Sequence, residues 1–299
     1  MREGKCAIAI SPELRDAVLK FECRRIGRLL PAIAGLNAIA ESLPERYHWR
    51  FKSAGAFRSE ISQIPTGEGA TRKLNGLYWR DTLATLEAYT VMAVWRMIDM
   101  AQAAVRAVEE ENIVPASVLA RSALESAIQF VHDARTMSST LEDVCKEDLV
   151  DKVATSEELE RLILQTVYAS RQSGDGDIYK SKNILTVIDK IAKVAKDDPL
   201  KEQYELLCEL THPNFLGRSL HIVDVQRGAR EGDELRVVGH RNGLSCEMVL
   251  ESTLWSLSWA IEAQASSVHL LQGSIRKMFE AFDFIASPSG AISRSDKLH

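Results

Sequence analysis

Three long segments of this chain repeat apolar residues at the period of an α-helix, and that repetition leaves little room for any fold but a helical one. In 79–111, Leu83, Leu86, Thr90, Ala93, Met97, Ala101, Ala104 and Val108 recur at helical spacing. In 114–134, Leu119, Ala120, Ala123, Leu124, Ala127, Ile128, Phe130 and Val131 form one broad apolar arc. In 244–281, Leu250, Leu254, Leu257, Ile261, Val268, Leu271, Ile275 and Phe279 mark a third stripe, with Trp255 and Trp259 four apart as packing residues. Aromatic residues make up only 6% of the chain, which favours helix over strand.

Punctuation between the stripes supports the same architecture. Ser11-Pro12-Glu13 is a helix start, with Ser as cap and Pro in the first turn; the helix it opens runs toward Leu43, with a break expected at Pro31 or Gly35 and a stop at Pro44. Pro115 opens the second stripe. Thr155-Ser156 caps the run S-E-E-L-E, Gly174 to Asp177 is a turn, 184–196 is amphipathic, and Pro199 starts a helix that ends at His212-Pro213. The pattern then changes: 220–226 and 235–238 have strand composition around the turn-rich link R-G-A-R-E-G-D-E. The expected fold is mainly α, an antiparallel helical bundle with a small β-hairpin inserted near residues 219–240. Its expected divisions are an N-terminal helix and irregular loop over 1–76, a bundle core over 77–286 and a mobile tail over 287–299.

Composition excludes several function classes. The net charge of −5 provides no global basic field to concentrate nucleic acid. Cys6, Cys23, Cys145, Cys208 and Cys246 contain no C-x-x-C pair, which argues against a zinc knuckle or a disulfide scaffold and for free thiols in the cytoplasm. No apolar run reaches the length of a membrane span, and the N-terminal run is too short for a signal peptide. No Walker loop, dinucleotide-binding glycine pattern or nucleophile elbow is present, and no cofactor is implied.

Two polar clusters remain as candidates for a site. Arg121, Glu125, Gln129 and His132 lie along one side of the second stripe, and Arg121 and Glu125, four apart, can pair. As a site, Arg121 would hold a phosphate or carboxylate and Glu125 would orient it; as plain structure, the four form the solvated face of an amphipathic helix. The second cluster holds Tyr204, Cys208, Glu209, Thr211, His212, Asn214 and Arg218, with His212 placed at a helix end by Pro213. There it is either a dipole-favoured cation or an acid–base group. The catalytic candidates are His212, Arg121 and Glu125, and the ligand-binding candidates are His132, Tyr204, Asn214 and Arg218.

Sharper chemistries fit less well. Two E-x-x-H strings, Glu45 to His48 and Glu209 to His212, have the spacing a di-metal bundle uses, but one follows Pro44 into a loop and the other runs into Pro213. Cys208 and His212 are four apart without an oxyanion turn. No metal site is therefore expected. The stretch 47–76, with Arg46 just before it, interleaves Arg50, Lys52, Arg58, Arg72 and Lys73 with Tyr47, Trp49, Phe51 and Phe57, read either as an anchored loop or as a surface for RNA or an anionic ligand.

The string A-R-S-A-L-E at Ala120 to Glu125, followed later by Y-E-L-L-C-E-L-T-H-P-N, resembles a prokaryotic helical family with an A-R-x-x-x-E helix and a later Tyr…His segment. More distantly it is similar to the HEPN (higher eukaryote and prokaryote nucleotide-binding) helical proteins, across roughly 79–214. That resemblance implies a helical bundle, often dimeric, with RNA-directed activity in toxin or phage-defence systems. Active members carry R-x4-6-H, which this chain matches only at Arg294 to His299 in its tail; Arg236 to His240 is one residue too short. Two functions are thus expected to compete. One is a non-catalytic binding or assembly protein, homodimeric through its long helices, with a protein partner. The other is an RNA-binding or metal-independent RNA-cleaving protein in which Arg121 and His212 converge.

Overall fold

The computed structural model describes residues 7–50, 52–146, 152–167, 183–194, 199–212, 214–228, 233–240, 243 and 246–282. It is mainly helical with one two-stranded antiparallel sheet. In chain order the elements are α1 (Pro12–Lys20), α2 (Arg24–Gly27), α3 (Leu29–Ser42), α4 (Ala54–Ser62), α5 (Ala70–Glu109), α6 (Ile113–Val144), α7 (Glu157–Val167), α8 (Ile184–Val194), α9 (Leu200–Thr211), α10 (Phe215–Ser219), β1 (Ile222–Arg227), β2 (Glu234–Val238) and α11 (Cys246–Ala281). The expected turn at Gly174 to Asp177 and the tail over 287–299 lie outside the described residues, as does Cys6.

Two compact units divide the chain. The first takes Met1–Pro44, Ala93–His132 and Lys182–Ser266, and the second takes Glu45–Met92, Asp133–Ser181 and Ser267–His299. In the first unit the apolar arc of α6 is buried, with Ala120, Ala123, Leu124, Ala127 and Ile128 fully enclosed. Ala101 and Ala104 of α5 are fully enclosed as well. Polar bonds key α6 to its neighbours: Arg96 of α5 donates to Ser126 at 3.1 Å, and the Ser117 and Thr253 hydroxyls of α6 and α11 pair at 3.0 Å. Ser252 of α11 donates to Gln203 of α9 at 2.7 Å. Glu262 of α11 holds both Arg25 and Arg28 near the start of the chain, and the Arg25 guanidinium also lies over the Trp255 ring.

The second unit is anchored by long-range polar bonds. Asn75 donates to the Lys152 carbonyl at 2.8 Å and accepts from the Ala154 N–H at 3.0 Å. Trp79 donates its indole N–H to the Ala154 carbonyl at 3.0 Å and stacks on Phe282. These contacts order 70–78 as helix, so α5 begins nine residues before the apolar stripe that predicts it. Within the expected loop over 47–76, Ser53 caps the short helix α4 by accepting from the Ala56 N–H. The caps at Ser11 and Ser156 form as the sequence implies, each hydroxyl accepting from an N–H three residues on. The N-terminal break differs: it falls at 21–23 and Arg28, so Pro31 sits in the first turn of α3, where its missing N–H costs nothing.

A tight connection turns α5 into α6. The Glu111 N–H donates to the Val108 carbonyl at 3.0 Å and the Asn112 N–H reaches the Ala107 carbonyl at 2.8 Å, the bonding pattern of a Schellman motif. Its left-handed position, φ 59°, is occupied by Glu111 where glycine is unstrained. Glu109, just before this turn, accepts the Ser11 N–H at 2.6 Å. Replacing Glu111 by Gly is expected to stabilise the protein by about 1 kcal/mol in urea denaturation, through relief of the left-handed conformation. Glu111→Ala removes the same charge but keeps the strain, so equal effects of the two substitutions would contradict this account.

Candidate functional site

Within the first unit, one face of α6 meets one face of α9. Arg121 and Glu125 stand one turn apart on α6; Tyr204, Cys208 and Thr211 follow at i, i+4 and i+7 on α9. The Arg121 guanidinium donates through Nε to Glu125 Oε1 at 3.1 Å and through Nη1 to Thr211 Oγ1 at 2.7 Å. The Tyr204 hydroxyl donates to the same Glu125 Oε1 at 2.9 Å. Thr211 passes its own proton back to the Cys208 carbonyl at 3.1 Å. The guanidinium carbon lies 5.7 Å from the centre of the Tyr204 ring, within cation–π range.

Burial tunes the cluster. Tyr204 is 4% exposed, whereas the Arg121 and Glu125 side chains are 26% and 34% exposed. Burial, then hydrogen bonds with Cys208 and Glu125, push the Tyr204 hydroxyl well above the ordinary tyrosine range, so it remains a donor. Burial draws the Arg121 guanidinium down, but Tyr204, Cys208 and Glu125 outweigh it and hold the group above its usual value. One cation, one anion and a protonated phenol give a neutral set. Hydrogen bonds of this charged type contribute on the order of 1.5–3 kcal/mol each, more than an exposed ion pair.

The other predicted site residues lie beside the cluster or away from it. His212 is exposed and ends α9 in an extended conformation, its N–H bonded to the Cys208 carbonyl at 3.1 Å. Among the described residues its imidazole makes no hydrogen bond or ion pair, although the preceding Thr211 touches Arg121. Asn214 caps α10, accepting from the Gly217 N–H at 3.1 Å while its amide donates to Glu209. Arg218 is exposed on α10. His132, half-buried, stands roughly 16 Å further along α6 than Arg121. Thr211, which completes the Arg121 contact, belongs to the second predicted cluster but not to its catalytic or ligand-binding candidates, because the contact depends on how α9 is rotated against α6. The end of α9 is held by a close approach, because a Cβ on Gly217 would lie 2.8 Å from the Leu210 carbonyl oxygen and 3.0 Å from that of His212.

The basic and aromatic stretch belongs to the second unit. Lys52 pairs with Glu60 at 2.7 Å and lies 3.8 Å from Asp81, and Tyr47 donates to Glu87 at 2.8 Å. Burial raises the carboxyl groups of Asp81 and Glu87 above the usual range. Tyr47 and Trp49 are half-buried, while Arg46, Arg50 and Arg58 are exposed. Among the described residues, no three His, Cys, Asp or Glu side chains form a metal-binding group. Of the two E-x-x-H strings, Glu45 and His48 lie outside any helix and Glu209 is bonded to Asn214. No described helix is long and apolar enough to cross a membrane. A scan against protein families, a search of curated proteins and a search of solved structures each find no match to this chain.

Tyr204→Phe is expected to cost about 1 kcal/mol at pH 7, the net value of one hydrogen bond. Above pH 10 the unfolded chain loses the tyrosine proton first, so this group makes stability fall as pH rises; below pH 10 both states keep it and the effect vanishes. The gap between parent and variant in urea denaturation therefore narrows on passing from pH 7 to above pH 10. An unchanged gap would count against a buried, hydrogen-bonded Tyr204.

Proposed function

We propose that this chain is a non-catalytic helical binding or assembly protein that acts in the cytoplasm as a homodimer. The observation that carries the reading is the double use of Glu125 Oε1, which accepts from both Arg121 and Tyr204. The polar groups of the cluster are engaged with one another. A general acid or base must instead reach the proton it moves, and a phosphate-stabilising arginine must aim its donors at developing charge. The Arg121 side chain nevertheless stays 26% exposed, and a carboxylate or phosphate on a partner is the chemistry an arginine on this face accepts.

A second reading has one observation in its favour. Because Arg121 reaches Thr211 at 2.7 Å, His212 is one residue from the arginine's partner, at the end of α9. In a HEPN-like protein of a toxin or phage-defence system, His212 would act as acid–base group, Arg121 would stabilise phosphate charge and Glu125 would orient it.

One assay separates the two. Purified protein, His212→Ala and Arg121→Ala are each incubated with a pool of tRNA and single-stranded RNA. The binding reading predicts no cleavage above background from any of them. Cleavage by the parent that both substitutions abolish would overturn it and establish the ribonuclease reading.

A further inference from the structure

The hairpin of the first unit is two strands wide, and beyond Ile222 and Val223 every residue of both strands is exposed. Two-stranded sheets are marginal in water, and independent stability needs three or more strands or a packed face. Apolar side chains are exposed on both faces, since side chains alternate along a strand: Val238, 72% exposed, shares the face of Arg236 with Phe215 of neighbouring α10, 66%, and Leu235, 59%, lies on the other. Arg236 lies over the Phe215 ring at 5.6 Å and pairs with Glu234 at 3.1 Å, tying α10 and β2 into one patch. The outer edge of β2 is unpaired among the described residues, and neither lysine nor proline guards it.

We propose that a second copy of this chain pairs with the outer edge of β2 about a two-fold axis through Leu235, making one four-stranded antiparallel sheet. The inference rests on the homodimeric reading above and moves the contact from the long helices to the hairpin. A two-fold contact must be self-complementary, and the sequence Glu234-Leu235-Arg236-Val237-Val238 meets that condition in one register. With the axis at Leu235, Glu234 faces Arg236 of the partner subunit, the partner's Glu234 faces Arg236, and the two leucines meet across the axis. An axis at Arg236 would set two arginines opposite each other, which is destabilising. An axis midway between Leu235 and Arg236 would leave both charges opposite apolar residues. β2 is chosen over β1 because on it an exposed apolar residue, Leu235 at 59%, lies between two opposite charges and meets its own copy at the axis.

Sedimentation velocity of the full chain over a range of concentrations tests this, with Glu234→Arg, Arg236→Glu and the double reversal. Each single reversal is expected to weaken dimerisation about 10-fold, and the double reversal to return it to within about 3-fold of the parent. Far-UV circular dichroism checks that helical content is unchanged. A dimeric parent whose variants dimerise equally well overturns the hairpin contact and leaves the homodimeric reading standing. A parent that is monomeric throughout overturns both. Single reversals that weaken the dimer without rescue by the double reversal overturn the axis at Leu235.

Discussion

Glu125 Oε1 is the atom on which the joint between α6 and α9 turns. It accepts from Arg121 on its own helix and from Tyr204 on the other. A half-buried carboxylate carries a desolvation cost unless donors surround it, and these two donors come from segments far apart in the chain. Arg121 then extends to Thr211, near the last turn of α9. Removing the carboxylate would leave a guanidinium and a buried phenol without their common acceptor. The consequence is positional: α9 is held in one rotation against α6, and that rotation sets where His212 and α10 begin.

The rest of the first unit is arranged to allow that joint. The alanines on α6 are fully enclosed, and the hydroxyl pair Ser117–Thr253 fixes its rotation against α11. Gly217 lets α10 lie against the carbonyls of Leu210 and His212, where a larger residue would push the end of α9 away. Apolar burial supplies most of the stabilisation, at about 1.5–3 kcal/mol per enclosed large side chain. The polar bonds decide which of many similar helix packings is formed.

Legibility in the sequence followed the range of the forces involved. The long stripes of α5, α6 and α11, the Ser11 and Ser156 caps and the strand composition of β1 and β2 are local signals, and mainly α architecture with a small hairpin follows from them. The early start of α5 was not legible, because Asn75 and Trp79 are anchored by the carbonyls of Lys152 and Ala154 and by the Ala154 N–H. Nor was the true N-terminal break, since Pro31 fits the first turn of a helix as well as it ends one. In the candidate site, the Arg121–Glu125 pair can be read from spacing. The sharing of one carboxylate oxygen with Tyr204, and the role of Thr211, depend on how two helices rotate against each other, which no local pattern encodes.

The most direct test of this account is a double-mutant cycle on stability at pH 7 with Glu125→Ala, Tyr204→Phe and the double variant. A closed network with a shared oxygen predicts a coupling energy on the order of 1–2 kcal/mol between the two positions. Additive effects within about 0.3 kcal/mol would mean the two groups act independently, and would contradict the joint on which the structure and its reading are built.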